Sequence, residues 1–308
     1  MKSLKLQKSF PFDSKLKFPL LYTTLSESFR FLYTSLIKIV IEAGQFSFRQ
    51  RFKELFAYRE LLFTLAYRDI RVRYAQTAVG LAWAVVNPVL QILLLSFVFG
   101  TIAKVGTGDS DIPHIIYTTA GMCGWVYFAN VLTGASTSII GAQAMIKKIY
   151  FPRLILPLSK ALTGFIDLAV MLVIIFLLIL IYGLPLSPNL IYLPIFLSIA
   201  VLSGLAFGIW LSALSIRYRD FTQITPLLLR LGMYATPIAY PASAVPEKYQ
   251  LVFYLNPMTG VIEGVRWCFV GGTAPSEYIY LSFFLIVGLF ISGMFYFFKI
   301  ERSIADIV

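Results

Sequence analysis

The chain has 308 residues, of which 58% are hydrophobic and 13% are charged, and its mean hydropathy is +0.80. Soluble domains carry about 25% charged residues, so this composition excludes a soluble enzyme and predicts one polytopic membrane domain. The net charge of +11 is no sign of a nucleic-acid partner in so apolar a chain, and a single histidine with two distant cysteines argues against a metal centre or a disulfide framework.

Residues 1–50 form a basic extension, which we separate from the membrane domain. Charged residues interrupt its apolar runs and no small-residue cleavage site follows them, so we predict no signal peptide.

The next segment, residues 51–76, is predicted to be a helix lying in the membrane interface. On a helical wheel its large apolar side chains fall within about 60° of one another. These residues are Phe52, Phe56, Phe63, Tyr67, Ile70 and Tyr74. The alternative is an ordinary helix that packs this stripe on the membrane spans.

The domain at 77–308 is predicted to be all-α, with six transmembrane helices. A helix needs about 20 apolar residues to cross a bilayer core of about 30 Å. The chain supplies such segments at 79–102, 115–142, 158–182, 190–214, 221–240 and 278–298. A turn sequence at 183–189 separates the third span from the fourth.

The basic residues predict the orientation. All but three of the 26 Lys and Arg residues fall on one side of the predicted spans, and the exceptions are Lys104, Lys248 and Arg266. Since cytoplasmic loops carry the excess of Lys and Arg, we expect both termini to be cytoplasmic.

Two charges lie inside predicted spans, where a charge has a partner or faces water. Asp167 and Arg230 either pair with each other or reach separately toward the cytoplasmic interface. In the fourth span, Gly204 and Gly208 have the spacing that permits close helix approach.

Residues 245–270 are predicted to form an outer gate of two re-entrant half-helices before the last span. Asn256 and Pro257 interrupt the apolar stretch, and Glu263 and Arg266, three residues apart, are expected to pair on one helix. The alternative is a surface loop with two short helices.

Motifs for enzymatic chemistry are absent from the sequence. It contains no phosphate-binding G-x-x-x-x-G-K-[ST] loop, no H-E-x-x-H and no G-x-S-x-G. Asp109 and Asp111 are spaced like the acidic pair of some glycosyltransferases, but the charge rule places them outside the cell, where nucleotide sugars are not available.

The chain has 27 Phe, 18 Tyr and 4 Trp. Most of the Tyr and Trp residues belong at membrane interfaces. A minority would line a conduit, where flat rings offer apolar faces to sugars.

Four stretches, in order, make the chain resemble the membrane permeases of polysaccharide-exporting ABC transporters. They are Tyr74–Gly100 with its Asn87-Pro88, Met145–Arg153 with Pro157, Ile216–Phe221, and Thr236–Pro241 followed by Asn256–Gly260 and Arg266. The likeness covers about residues 55 to 300. Thr236 stands where we expect a serine, and residues 1–50 extend beyond the usual start.

The resemblance implies a lipid-linked polysaccharide substrate, a second copy of the chain, and a separate ATPase subunit that holds ATP and Mg²⁺, in a bacterial inner membrane. This chain itself would be no enzyme and bind no cofactor. The resemblance also assigns an ATPase-coupling surface, which consists of Lys147, Lys148, Tyr150, Phe151, Pro152, Arg153, Arg217, Arg219 and Asp220. We assign the conduit to Trp83, Trp125, Tyr127, Tyr234, Tyr240 and Tyr254, and the outer gate to Asn256, Pro257, Glu263 and Arg266. Alternatives are a teichoic acid or capsule exporter, an exporter of a small hydrophobic compound, and a membrane glycosyltransferase.

Overall fold

The structure, a computed structural model, describes residues 48–75, 82–108, 112–218 and 220–307. Most of the predicted extension 1–50 lies outside these residues, as do Asp109, Asp111 and Arg219. Within the described ranges the chain forms eleven α-helices and no strand, which confirms the all-α fold class.

Five long apolar helices in the described residues have the length and composition to cross a membrane. They are α3 (Ala82–Leu95, continued by a π-helix, Ser96–Ile102), α4 (His114–Gly141), α6 (Ile155–Ile181), α7 (Leu193–Arg217, after a 3₁₀ turn at Pro188–Tyr192) and α11 (Ile279–Ile307). The remaining helices are α1 (Phe48–Ala57), α2 (Arg59–Ala75), α5 (Gln143–Ile146), α8 (Phe221–Ala235), α9 (Glu247–Phe253) and α10 (Pro257–Val270).

The fifth predicted span, 221–240, is helical only over α8. Its 15 residues cover about 22 Å at 1.5 Å per residue, less than a bilayer core. The helix ends because Thr236 precedes Pro237, whose ring pushes the preceding residue into the extended conformation that Thr236 adopts, with φ −108° and ψ 141°. The count of six crossings therefore stays a prediction.

Helix α4 is the centre of the bundle. Within its most apolar 18-residue window 78% of the residues are buried, against 17–33% in the other four spans. It packs on α3, α6, α7, α8 and α10. Helix α7 comes closest, because a Cβ on Gly204 would lie 2.9 Å from the Cβ of Val131 and a Cβ on Gly208 would clash with that of Ala135. The predicted close approach at these glycines is confirmed.

The segment predicted as one interface helix forms two, with a break at Tyr58. Leu65 and Ala66 of α2 are buried against α6, whereas Phe56, Phe63 and Tyr67 are 60–69% exposed. These three rings therefore face away from the bundle, as the rings of an interfacial helix would. The interfacial position itself stays a prediction.

The first four spans run in alternate directions, and α8 then returns the chain to the end from which α11 starts, so the bundle has two ends. We call the end that carries α1, α2, residues 143–154, residues 217–218 and residues 220–221 the basic end. The other, the opposite end, carries residues 103–108, 112–113, 183–192 and 236–278.

Candidate conduit, gate and coupling surface

A cavity of about 520 Å³ opens beside α3 and α4, where the last turn of α2 meets α6. We call it the first cavity. Its wall combines indole rings, amides and one acid–base pair. The lining residues are Arg73, Trp83, Ala84, Asn87, Pro88, Gln91, Trp125, Val126, Ala129, Asn130 and Asp167. Two of the predicted conduit residues, Trp83 and Trp125, thus lie in one cavity.

The charged pair of this cavity joins two elements that are distant in sequence. Arg73 Nη1 lies 2.6 Å from Asp167 Oδ2, and its Nη2 lies 3.5 Å from the amide oxygen of Asn130. The Asp167 side chain is 8% exposed and that of Arg73 is 49% exposed. Asp167 therefore pairs with the end of α2, a partner that neither of the two alternatives for Asp167 and Arg230 named.

Helix α3 turns a polar stripe toward this cavity. Trp83, Asn87 and Gln91 follow one another at four-residue spacing, which places them on one helix face, and Gln91 Nε2 donates to Asn87 Oδ1 over 3.2 Å. The four-residue spacing of polar residues inside an apolar span is the sequence signal for this stripe. Of its three residues, only Trp83 was predicted to line the conduit.

Helix α8 carries a second stripe of this kind. Gln223, Arg230 and Tyr234 share one face of the helix and all three are exposed. The same helix packs against the wall of the first cavity at Gly232, where a Cβ would lie 3.0 Å from the ring of Trp125. Charged and amide groups on the outside of a helix at membrane depth are costly when they face lipid.

A cavity of about 310 Å³, the second cavity, lies at the opposite end between α9, α10 and the segment that follows α8. It contains Tyr254 of the predicted conduit and Glu263 and Arg266 of the predicted gate. The other lining residues are Thr107, Gly108, Tyr117, Pro241, Ala242, Ser243, Gln250, Trp267, Val270, Gly271, Thr273, Ala274, Pro275 and Ser276.

Arg266 fastens the gate helix to the non-helical backbone after α8. It is 6% exposed, and its Nη2 donates to the carbonyl oxygens of Pro237 and Ile238. Its guanidinium lies 3.9 Å from the centroid of the Tyr117 ring on α4. Backbone carbonyls without a helix need such donors at membrane depth.

Residues 245–270 contain two short helices, which both alternatives predict, with Asn256 at the boundary. The Asn256 side chain caps α10 by accepting from Met258 N over 3.1 Å, and its Nδ2 donates to Thr236 Oγ1 over 2.8 Å. Pro257 occupies the first position of α10, where its missing N–H is no loss.

The expected pairing of Glu263 with Arg266 is wrong. Within the described part of the chain they form no ion pair, because Glu263 accepts a hydrogen bond from the Tyr254 hydroxyl and Arg266 turns to backbone carbonyls. Tertiary acceptors prevail over the local i,i+3 contact.

The other predicted conduit residues lie elsewhere. Tyr127 is buried between α4 and α6, and its hydroxyl donates to the Ala161 carbonyl over 3.3 Å. Tyr234 is 56% exposed on α8, and the Tyr240 hydroxyl donates to its carbonyl over 3.0 Å. Neither cavity includes these three side chains.

The predicted coupling residues that the structure describes, all of the set except Arg219, lie at the basic end. Lys147, Lys148 and Tyr150 are exposed, and the loop that they share with Phe151 and Arg153 encloses a hollow of about 180 Å³. Phe151 and Pro152 are buried beneath it. In the neighbouring turn Arg217 and Asp220 are exposed.

Glu301 of α11 ties this loop to α1. Its Oε2 lies 2.8 Å from Arg51 Nη1, and its Oε1 accepts from the Arg153 backbone N–H over 3.2 Å. The Tyr150 hydroxyl donates to Glu54 over 3.3 Å, and burial together with that carboxylate raises the pKa of Tyr150. This loop is therefore fastened to both α1 and α11.

A second ion pair holds α2 against α6. Asp69 accepts from Lys160 Nζ and also from Arg68 Nη2, the latter over 2.8 Å. Burial alone would raise the pKa of Asp69, but the hydrogen bonds from Lys160 and Arg68 outweigh burial and hold it below its ordinary value.

The comparisons with known proteins agree with one another. A family model described as ABC-2 type transporter matches residues 60–270. The chain is 28% identical to the O-antigen export system permease protein RfbA of Klebsiella pneumoniae, over 81% of this chain and 95% of that protein. It is 27% identical to RfbA of Myxococcus xanthus, over 72% and 85%, and 22% identical to the polysialic acid transport protein KpsM of Escherichia coli, over 75% and 90%.

Proposed function

The chain belongs to the ABC-2 type transporter family, and on that premise we propose that it is the membrane subunit of an exporter of lipid-linked polysaccharide. The observation that carries the proposal is the first cavity, where two indoles, three amides and an ion pair line a hollow among apolar spans. Sugars are bound by aromatic faces together with amide and charged hydrogen-bonding groups. The relatives named for O-antigen and polysialic acid transport support a glycan as the cargo.

The polar stripes of α3 and α8 support a conduit shared by two copies of the chain. A single copy leaves Gln223, Arg230 and Tyr234 exposed on a helix of a membrane bundle. A second copy that places the same stripes opposite them encloses a water-filled path and removes these groups from lipid. This need supports the homodimer that we propose.

Energy comes from a separate ATPase subunit, which binds ATP and Mg²⁺ and docks on the basic end. The exposed side chains of Lys147, Lys148, Arg217 and Asp220 suit a polar docking surface. Glu301 links the loop to α1 and α11, so movement of the docked subunit reaches the spans as rigid-body motion. The basic end is cytoplasmic under the charge rule, in a bacterial inner membrane.

The test is a deletion strain whose glycan is measured on each side of the inner membrane. We expect lipid-linked glycan to accumulate in the cytoplasm and to be missing from the surface. Normal surface glycan would contradict the proposal and favour a small hydrophobic cargo. Absence of glycan on both sides would favour a glycosyltransferase.

Variants in the same strain test the cavity. Trp83→Ala removes an indole that is 56% exposed, and we expect at least a tenfold loss of surface glycan. The matched control is Phe284→Ala on α11, which removes a 71% exposed ring outside the cavity and leaves export unchanged. Equal effects of the two changes would contradict the role of the first cavity.

Docking is tested by copurification with the ATPase subunit. Arg217→Ala is expected to weaken that association severalfold, whereas Lys248→Ala at the opposite end is not. If Arg217→Ala left the association unchanged, Arg217 would not be part of the docking surface.

A further inference from the structure

The second cavity is lined by charged and polar side chains of the kind that bind ligands, and packing alone does not explain why they meet there. It lies at the end of the bundle away from the coupling surface, between both gate helices. An inference about it rests on the proposed function, because that function supplies the glycan that passes this end.

Arg266 has more hydrogen-bond donors than the surrounding protein uses. Among the described residues only Nη2 of its three nitrogens donates, to Pro237 and Ile238, and its buried Nε has no acceptor there. A guanidinium carries five N–H donors. A buried donor without an acceptor is uncommon and calls for an explanation, and Arg266 also forms part of the cavity wall.

Glu263 supplies an acceptor beside these donors. One of its carboxylate oxygens accepts from the Tyr254 hydroxyl, and the same side chain lines the cavity next to Arg266. Glu263 and Arg266 bond to other partners and not to each other. The cavity wall therefore presents the guanidinium of Arg266 as a donor and the carboxylate of Glu263 as an acceptor.

This arrangement favours a neutral polyhydroxyl ligand over an anion. A sugar hydroxyl both donates and accepts, so a pair of neighbouring hydroxyls is able to satisfy Arg266 and Glu263 together. For an anion, repulsion by the Glu263 carboxylate offsets the attraction of Arg266, so the wall carries no net charge that favours it. The rest of the wall adds neutral polar groups and one indole, namely Ser243, Gln250, Trp267, Thr273 and Ser276.

The size of the cavity limits the ligand. Its volume of about 310 Å³ lies at the lower end of the range of about 300–1,000 Å³ for small-molecule sites. It therefore suits one sugar unit and does not suit a folded length of chain.

We propose that the second cavity is a single-sugar site at the gate, in which Arg266 donates to and Glu263 accepts from the hydroxyls of a neutral sugar unit of the passing glycan. A sugar bound there uses donors of Arg266 that Pro237 and Ile238 leave unused.

The test is saturation-transfer NMR on the purified permease–ATPase complex, with methyl glycosides of glucose, galactose, mannose and N-acetylglucosamine as probes. We expect saturable binding of at least one probe, weak because one sugar has few atoms. Glu263→Gln keeps the acceptor for Tyr254 but removes the charge, and is expected to weaken binding at least fivefold. The control, Glu247→Gln, changes an exposed carboxylate outside the cavity and leaves binding unchanged.

A second variant, Ser243→Phe, fills the cavity from an exposed position and is expected to abolish probe binding without loss of the folded complex. No saturable binding, binding unaffected by both variants, or displacement of the probe by sulfate would each overturn the sugar site. The deletion strain reports separately: trapped glycan with no probe binding rejects this inference alone, whereas probe binding with normal surface glycan rejects the proposed function.

Discussion

The two cavities both contain an arginine and a carboxylate, yet the two arginines have different partners. In the first cavity Arg73, half exposed, binds the Asp167 carboxylate directly and so joins α2 to α6. In the second cavity Arg266, almost fully buried, binds backbone carbonyls while Tyr254 holds Glu263. An arginine that satisfies backbone supports the fold itself, whereas one that satisfies a carboxylate can be replaced together with its partner.

The largest expected effect is therefore at Arg266. Arg266→Ala leaves the carbonyls of Pro237 and Ile238 without this donor and opens space beside Tyr117. Unsatisfied buried groups of this kind cost about 1–3 kcal/mol each. We expect the lowest thermal unfolding midpoint of the variant series, measured in detergent.

Arg266→Lys sharpens the same test. Lysine keeps the charge but is a point donor without the planar fork that stacks on Tyr117, so an intermediate midpoint is expected. A midpoint equal to wild type for the alanine variant would contradict the structural role of Arg266.

The second effect concerns Arg73 and Asp167. Arg73→Ala removes this ion pair from the Asp167 carboxylate, which is 8% exposed. Because the Arg73 side of the pair is partly exposed, we expect the free energy of unfolding to fall by about 1–3 kcal/mol. The reversed pair, Arg73→Asp with Asp167→Arg, is expected to recover part of the loss. A double-mutant cycle on unfolding midpoints measures the coupling, and additive effects would contradict the pairing.

How far the sequence predicted these features depends on their range along the chain. Hydropathy located the five long apolar helices to within a few residues, and Asn256-Pro257 predicted the break between α9 and α10, because both signals are local. The partner of Asp167 was sought inside another span, whereas Arg73 lies 94 positions away on α2. Glu263 and Arg266 were expected to pair because their spacing fits, and only the tertiary structure brings Tyr254 and Ile238 close enough to replace that contact.

The third prediction compares the first cavity with a lipid-facing surface. Cysteines at Asn87 and Gln91 are expected to react with a charged, water-soluble thiol reagent at least tenfold faster than cysteines at Val173 and Leu177, which are 58% and 52% exposed on α6. The thiolate is the reactive form and it needs water. The native Cys123 and Cys268 are buried and give a low background. Equal reaction rates at the four positions would contradict a water-filled path along α3.

The smallest effect is expected at Asp69, which also joins α2 to α6. Its folded pKa lies below the ordinary value of 3.8, so its contribution to stability is present above about pH 4 and is lost as the pH falls through the folded pKa. Unfolding midpoints of wild type and Asp69→Asn, measured from pH 7 to pH 3, should converge at the acid end. A constant difference across that range would contradict the contribution of Asp69.

The most direct test of the central claim is transport in inverted inner-membrane vesicles, whose cytoplasmic face is outward. Lipid-linked glycan, ATP and Mg²⁺ are added, and a glycosidase outside the vesicles then digests whatever has not entered. We expect ATP-dependent protection of the glycan that requires this chain and falls at least tenfold with Trp83→Ala. Protection that is equal in vesicles lacking the chain, or no protection in vesicles that hold the chain with its ATPase, would contradict export through this permease.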